Sequence, residues 1–116
     1  MPGVETNQAP MKRIASVIGV ASEHIEAYER HHAAVWPGVL AALARSHVHN
    51  YSIYRFGTTL FSYFEYRGED YEADLAAIAA DPTTQEWWSV VNPLQQPMDG
   101  LPAGQWLEIP EVFHTD

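Results

Sequence analysis

The sequence predicts an α+β domain in which two pairs of helices alternate with four strands, in the order β-α-α-β-β-α-α-β. Three observations support this prediction: short runs rich in β-branched or aromatic residues, helical segments broken by proline, and a glycine-containing turn between two aromatic runs. The chain has 116 residues, of which 47% are hydrophobic and 18% are charged. This composition is typical of a globular protein, and the length suits one small domain.

The N-terminal part of the chain divides into a leader and a first strand. Residues 1–10 are polar, contain proline and glycine, and show no hydrophobic periodicity. Chain termini of this kind seldom make contacts that order them. We therefore expect a disordered leader followed by a single domain over residues 11–116. Residues 12–20 are rich in isoleucine and valine, which predicts the first strand.

Two short helices are predicted between the first and second strands. Ser22 is of a residue type that caps helix N-termini, and acidic residues follow it in the first turn. Trp36-Pro37 interrupts this helix, because proline lacks the backbone N–H that a helix interior needs. Proline suits the first position of a helix, so a second helix is expected over residues 37–46.

A β-hairpin is predicted in the middle of the chain. The aromatic-rich runs 48–56 and 60–66 are separated by Gly57-Thr58-Thr59. A short glycine-containing spacer between two such runs is typical of a hairpin turn. We therefore expect the second and third strands to be antiparallel neighbours.

The second pair of helices follows the hairpin. Asp70 is suited to cap a third helix over residues 71–80. An Asp-Pro pair then ends this helix and starts a fourth, in which Thr83 and Glu86 have the spacing of a capping box.

The C-terminal part predicts a loop and a last strand. Residues 92–104 contain three prolines and two glycines, which is typical of a loop. Residues 106–113 predict the last strand, and Pro110 within it indicates an edge position or a bulge.

Merging each broken helix pair gives the order βαββαβ, the ferredoxin-like arrangement, with helices on one face of a four-stranded antiparallel sheet. The two hairpin strands carry large apolar and aromatic side chains on both pleat faces. The face without helices would be an exposed apolar patch, which a second copy of the chain can cover. We therefore expect a homodimer with its two sheets face to face. These side chains are Tyr51, Ile53, Tyr54, Phe56, Phe61, Tyr63, Phe64 and Tyr66.

Charge and cysteine content exclude several classes of function. Acidic residues outnumber basic ones by 15 to 6, which gives a formal charge of −9. Such a chain repels phosphate backbones and anionic lipid, so neither nucleic acid nor a membrane is an expected partner. No apolar run has the length of a transmembrane helix, and no signal-peptide pattern is present. The chain has no cysteine, which excludes disulfides and a thiol nucleophile and fits a cytoplasmic location.

Tyr28 and His32 are the first candidates for chemistry. They are four residues apart in a predicted helix, so they share one face. Histidine exchanges a proton near neutral pH, and a tyrosine one turn away can orient the imidazole or hold a hydroxyl. The same spacing is also that of a half-buried pair at the edge of the core.

Trp87 and Trp88 form a second constellation. Adjacent residues on a helix point about 100° apart, so one tryptophan can be buried while the other lines a cleft. Indole faces suit the C–H face of a sugar, and the indole N–H can reach a hydroxyl. The alternative is that both are core or dimer contacts.

Metal and cofactor chemistry find little support. His47 and His49 would share a strand face, but no third potential ligand has a spacing typical of a metal site, so we expect no metal. Glu65 is a candidate buried carboxylate, although it could equally face water. The chain has no phosphate-binding glycine loop, nucleophile elbow or dinucleotide fingerprint, so no cofactor is expected.

Four motifs stand in the order and spacing of a known family. Residues 28–37, Tyr-Glu-Arg-His-His-Ala-Ala-Val-Trp-Pro, resemble the Y-x-x-x-H…W-P segment of the L-rhamnose mutarotase family. Residues 49–54 resemble its H-N-Y-x-I-Y strand, Trp87-Trp88 its paired tryptophans, and residues 111–113 its terminal E-V-F. The resemblance covers nearly the whole chain, and four motifs in register are specific where one would be weak.

The resemblance implies a dimeric α/β barrel of ferredoxin-like subunits. It also implies an aldose 1-epimerase that interconverts the α and β anomers of L-rhamnose without metal or nucleotide. The catalytic histidine of the family falls on His32, its sugar-binding tyrosines on Tyr28 and Tyr51, and its tryptophan pair on Trp87 and Trp88.

The chain also departs from the family pattern. Ala34 replaces the proline often found two residues after the catalytic histidine, and the chain ends in His-Thr-Asp after Phe113. These departures leave L-fucose or another 6-deoxy sugar open as the substrate. The rival interpretations are another dimeric α+β barrel enzyme, such as an oxygenase, and a non-catalytic sugar-binding module.

Overall fold

The proline-broken segments form helices and the β-branched and aromatic runs form strands in the computed structural model, which describes residues 11–116. The leader predicted over residues 1–10 lies outside these residues. Short 3-10 turns at Ser22–His24 and Asn92–Leu94 accompany the main elements. These are β1 (Lys12–Val20), α1 (Ile25–His32), α2 (Pro37–Arg45), β2 (Val48–Phe56), β3 (Thr59–Tyr66), α3 (Tyr71–Ala80), α4 (Pro82–Val91), β4 (Gln95–Gln96) and β5 (Leu107–Ile109).

The sheet is antiparallel and is organised around β1. One edge of β1 pairs with β3, which in turn pairs with β2. The other edge of β1 pairs with β5 near its middle and with β4 near its end. The predicted α+β, ferredoxin-like arrangement is confirmed, with the difference that two short strands share the edge where one was expected.

Aspartates cap the second pair of helices. The Asp70 carboxylate accepts a hydrogen bond from the backbone N–H of Ala73 at 3.1 Å, as predicted for the start of α3. The capping box at Thr83 and Glu86 is wrong, because Asp81 is the N-cap of α4 and its carboxylate accepts from the N–H of Thr84 at 2.9 Å. A single capping acceptor is enough to satisfy that amide.

The first helix pair begins differently from the prediction. Ser22 is not an N-cap: it opens the 3-10 turn, in which the N–H of His24 donates to the carbonyl of Ala21. The predicted break at Trp36-Pro37 is confirmed. Trp36 has an extended backbone, as a residue before proline prefers, and α2 starts at the proline.

The C-terminal region forms one short strand that was not predicted, and its last strand is shorter than predicted. The expected loop over residues 92–104 includes β4, whose two residues pair with β1. The last strand ends at Ile109 instead of extending to residue 113, because Pro110 has no N–H to continue the ladder. Val112 and Phe113 are 98% and 80% exposed in this chain.

The core lies between the helices and the face of the sheet that they cover. Its buried members come from β1, β3 and three helices; they are Ile18, Val20, Tyr28, Val39, Leu60, Trp87 and Val91. The opposite face carries Tyr54, Phe56, Phe61 and Tyr63, and Phe56 is 80% exposed. Large side chains therefore occupy both faces, as expected. No helix within residues 11–116 is long and apolar enough to cross a membrane.

A β-bulge in β2 decides which side chains reach the helices. Between the pairs His49–Glu65 and Ser52–Tyr63, two residues of β2 oppose the single residue Phe64. Asn50 takes the extra position with φ +50°, and its side-chain amide donates to Glu65 at 2.7 Å. In a regular strand, His49 and residue 51 would share a face. The bulge separates them, so Tyr51 lies on the helix side.

We expect the conformation of Asn50 to be testable by substitution. Asn50→Val should lower the free energy of unfolding by about 1–2 kcal/mol, because a β-branched residue is strained at positive φ. Asn50→Gly should cost less, since glycine adopts this conformation freely and only the contact with Glu65 is lost. Urea denaturation of both variants measures the difference. Equal losses would show that backbone strain at this position is unimportant.

Candidate active site

Tyr28 and His32 form a stacked pair on α1. Their ring centroids are 4.1 Å apart with an interplanar angle of 22°, which confirms the shared face predicted from their spacing. The Nδ1 of His32 lies 2.9 Å from the carbonyl oxygen of Tyr28. A carbonyl only accepts, so Nδ1 is the donor and carries the proton. In the neutral ring, Nε2 therefore holds the lone pair and is the basic atom.

The surroundings of His32 favour its neutral form. Burial lowers its pKa from the usual 6.5, and the neighbouring His31 adds to the effect. The hydrogen bond to the Tyr28 carbonyl opposes the shift but does not reverse it. The imidazole is therefore available as a base at neutral pH and below it.

Tyr28 is almost fully buried. Only 3% of the residue is exposed, and its hydroxyl accepts a hydrogen bond from Nε2 of Gln95 at 3.2 Å. Burial raises the pKa of Tyr28, so the hydroxyl is protonated at neutral pH. Gln95 lies on β4, and no sequence signal marks it as a site residue because the surrounding prolines and glycines predict a loop.

Trp87 and Trp88 differ in burial, as adjacent positions on a helix should. Trp87 is 5% exposed, and its ring lies edge-on to His32 at 5.2 Å and to Trp36 at 5.3 Å. Trp88 is 36% exposed. Trp87 thus joins the core to His32, while Trp88 offers accessible indole surface.

Tyr51 reaches the same region from the sheet. The bulge at Asn50 puts Tyr51 on the helix side, with its ring 5.4 Å from that of Phe64. The dense surroundings of its hydroxyl raise the pKa of Tyr51 to about 12, although 42% of the residue's surface is accessible. The hydroxyl therefore remains protonated at neutral pH and can donate a hydrogen bond.

A cavity of about 410 Å³ lies between the helices and the sheet, and Tyr28 does not border it. His32, Tyr51, Trp87 and Trp88 all border it. A volume of this size accommodates a small-molecule ligand, and apolar walls with few polar groups are typical of such sites. The rest of the lining is largely aliphatic and includes Val35, Val39, Leu40, Leu43, Leu75 and Ile78.

His47 and His49 do not share a strand face as predicted. His47 precedes β2 with φ +67°, and its Nδ1 lies 3.1 Å from Asp74. His49 pairs with Glu65 on the sheet face without helices, so the expectation of a shared face is wrong. Among the residues that the structure describes, no group of three or more potential metal ligands is found.

Glu65 lies outside the cavity. Its carboxylate accepts hydrogen bonds from Asn50 at 2.7 Å, Tyr63 at 3.0 Å and Arg67 at 3.2 Å. These bonds, led by that of Asn50, lower the pKa of Glu65 below the usual 4.5. The carboxylate is thus ionised and hydrogen-bonded on the helix-free face, where it stabilises the bulge.

The fold and the cavity together define a class of protein. It is a ferredoxin-like α+β protein whose site combines one basic imidazole, a protonated tyrosine and an aromatic wall. These groups can exchange protons and hold a small ligand that has both hydroxylated and apolar parts.

Comparison with known proteins identifies the family. A family model described as L-rhamnose mutarotase matches residues 13–115. L-rhamnose mutarotase from Opitutus terrae is 38% identical over 109 residues, which cover 91% of this chain and 100% of that protein. The Bacillus subtilis protein of the same name is 32% identical with the same coverage. The chain belongs to the L-rhamnose mutarotase family.

A solved structure shows the same fold. The crystal structure of L-rhamnose mutarotase from Formosa agariphila superposes with a TM-score of 0.71 at 22% identity. The match covers 90% of this chain and 99% of that chain. The resemblance found in the sequence motifs is thus confirmed at the level of family and fold.

The burial difference between the two tryptophans predicts unequal effects on stability. Trp87→Ala should lower the free energy of unfolding by about 3–5 kcal/mol, because it removes a large side chain from the core. Trp88→Ala should cost about 1 kcal/mol, which is typical of a partly exposed position. Chemical denaturation followed by circular dichroism measures both. Similar losses for the two variants would contradict the division between core and cavity wall.

Proposed function

We propose that this protein interconverts the α and β anomers of L-rhamnose, and that His32 is the acid and base of the reaction. The observation that carries the proposal is the basic Nε2 of a partly buried histidine beside an aromatic-walled cavity. The family and its relatives supply the reaction class. Saturation-transfer NMR with L-rhamnose and L-fucose tests the activity and identifies the preferred 6-deoxy sugar.

Mutarotation needs two proton transfers. Nε2 of His32 removes the proton of the anomeric hydroxyl while the C1–O5 bond breaks and C1 becomes an aldehyde carbon. The proton reaches the ring oxygen from the imidazolium, directly or through water. The open chain rotates about C1–C2, and the same steps in reverse close the ring on the other face. General acid–base steps of this kind typically contribute about 10²–10⁴-fold each.

The other site residues have separate roles in this proposal. The Tyr28 ring supports the imidazole by stacking, and its sugar-binding role remains a prediction. The Tyr51 hydroxyl donates a hydrogen bond to the sugar. Trp88, with Trp87 behind it, provides an apolar wall for the C6 methyl, where an additional hydroxyl would lack a partner.

We also propose that the protein acts as a homodimer in the cytoplasm. The absence of cysteine suits a reducing compartment. The sheet face without helices exposes Tyr54, Phe56 and Phe61, and the C-terminal Val112 and Phe113 are also exposed. A second copy of this face can cover this apolar surface.

His32→Ala should abolish anomer exchange while the protein remains folded. The pH dependence of kcat/KM in the unaltered protein should fall on the acid side with a midpoint below 6.5. The sign follows because the neutral imidazole is the base and burial lowers its pKa, so protonation occurs at a lower pH. Both quantities are measured by saturation-transfer NMR.

His31→Ala is the matched control for His32→Ala. It removes the same kind of side chain one residue earlier and should retain exchange. Its acid limb should move to slightly higher pH, because His31 contributes to the lowering of the pKa of His32. If folded His32→Ala exchanges anomers at the unaltered rate, the assignment of His32 is wrong.

Sedimentation should give twice the chain mass of 13.0 kDa at micromolar concentration. Phe61→Asp should shift the protein towards the monomer, because it buries a charge in the proposed interface. Glu23→Lys, a charge change in the 3-10 turn before α1, should leave the mass unchanged. A monodisperse monomer of the unaltered protein would contradict the proposal.

A further inference from the structure

A second, smaller cavity adjoins the first. It has a volume of about 270 Å³ and lies between the C-terminal half of α1 and the β2–β3 hairpin. His32 and Ile53 border both cavities, so the smaller one begins at the imidazole. A sugar with its anomeric carbon at His32 would therefore have access to both.

The smaller cavity contains the charged groups that the larger one lacks. Glu29 and Arg55 both border it, and Nε of Arg55 donates to Oε2 of Glu29 at 2.5 Å. Nη1 of Arg55 also donates to the carbonyl of Gly57 at 3.0 Å, which anchors the guanidinium to the hairpin turn. These bonds use two of the five N–H donors of Arg55 and leave capacity for a ligand.

Both charged residues lie near His32, and their ion pair is accessible to solvent, with the Arg55 and Glu29 side chains 35% and 54% exposed. Glu29 stands three residues before His32 on α1, which is the spacing of neighbours on one helix face. Arg55 pairs in register with Leu60, a buried residue on the helix side of the sheet. The ion pair therefore ties the catalytic helix to the hairpin at the edge of the cavity.

A 6-deoxy sugar presents two chemically different sides. Its pyranose ring carries four hydroxyls and one methyl group, whereas the larger cavity is mostly aliphatic and aromatic. In the ring, C1 lies between O5 and C2, and the methyl-bearing C5 follows O5. A sugar bound with C1 at His32 and its methyl in the larger cavity would turn C2, on the other side of C1 from O5, and its 2-hydroxyl towards the smaller cavity.

We propose that Arg55 and Glu29 form the specificity-determining subsite for the sugar's 2-hydroxyl, which extends the site proposed above and rests on that proposed function. Arg55 donates a hydrogen bond to the hydroxyl oxygen, and the Glu29 carboxylate accepts a hydrogen bond from the hydroxyl group. Hydrogen bonds to charged partners are stronger than those between neutral groups. The ion pair makes these bonds in ground state and transition state alike, so its contribution is to binding.

The experiment compares L-rhamnose with its 2-deoxy analogue in anomer exchange measured by saturation-transfer NMR. Arg55→Leu should raise the KM for L-rhamnose by about tenfold and change kcat by less than about threefold. The KM for the 2-deoxy analogue should move by less than about twofold, because the lost partner is absent from that sugar. A merely structural role of Arg55 would affect both sugars alike.

Two further variants complete the test. Arg30→Leu removes one positive charge from an exposed position of α1 next to Glu29 and should leave both KM values unchanged. Arg55→Lys keeps the charge but loses the bidentate hydrogen-bonding geometry of the guanidinium. It should raise the KM for L-rhamnose and leave the KM for the 2-deoxy analogue unchanged. It also provides the measurement if Arg55→Leu does not fold.

The outcomes separate the two proposals. If the unaltered protein does not exchange the anomers of L-rhamnose, the proposed function itself fails. If it does, and the Arg55 variants affect neither sugar or both sugars equally, the subsite is refuted while the proposed function stands.

Discussion

The packing of Trp87 is the interaction on which the rest of the structure depends. This tryptophan lies in the core between the helices and the sheet and meets Trp36 and His32 edge-on. It joins α4 to α1 and to the start of α2, and the Asp81 cap fixes where α4 begins. The side chain that completes the core thus also forms one wall of the cavity, so the stability of the fold and the geometry of the site are coupled.

The same packing sets the chemistry of His32. Burial against aromatic rings makes the charged imidazole less favourable, while the carbonyl of Tyr28 holds the proton on Nδ1. The side chain consequently has one defined tautomer, with Nε2 as the basic atom. Gln95 on β4 donates a hydrogen bond to the Tyr28 hydroxyl, and the Tyr28 ring stacks on His32. β4 therefore supports the imidazole through Tyr28. β4 has two residues and contributes little to the sheet, but it helps to hold the site residues in position.

Local signals in the sequence predicted most of the elements. The bounds of β1, β2 and α3 agree with the prediction, because β-branched runs, aromatic runs and an aspartate cap act over a few neighbouring residues. The same holds for the stacked pair Tyr28 and His32, whose four-residue spacing on a helix fixes a common face. The family motifs added the identity of the reaction, which no periodicity can show.

The sequence by itself determined the element order, the shared face of Tyr28 and His32, and the family, since each depends on neighbouring residues or on motif order. Only the tertiary structure decided that Trp87 is the buried tryptophan, that Tyr51 lies on the helix side, and that Gln95 meets Tyr28. The rotation of α4, the bulge in β2 and the pairing of β4 with β1 produce these outcomes. Each depends on contacts between segments distant in the chain, which local propensity does not encode.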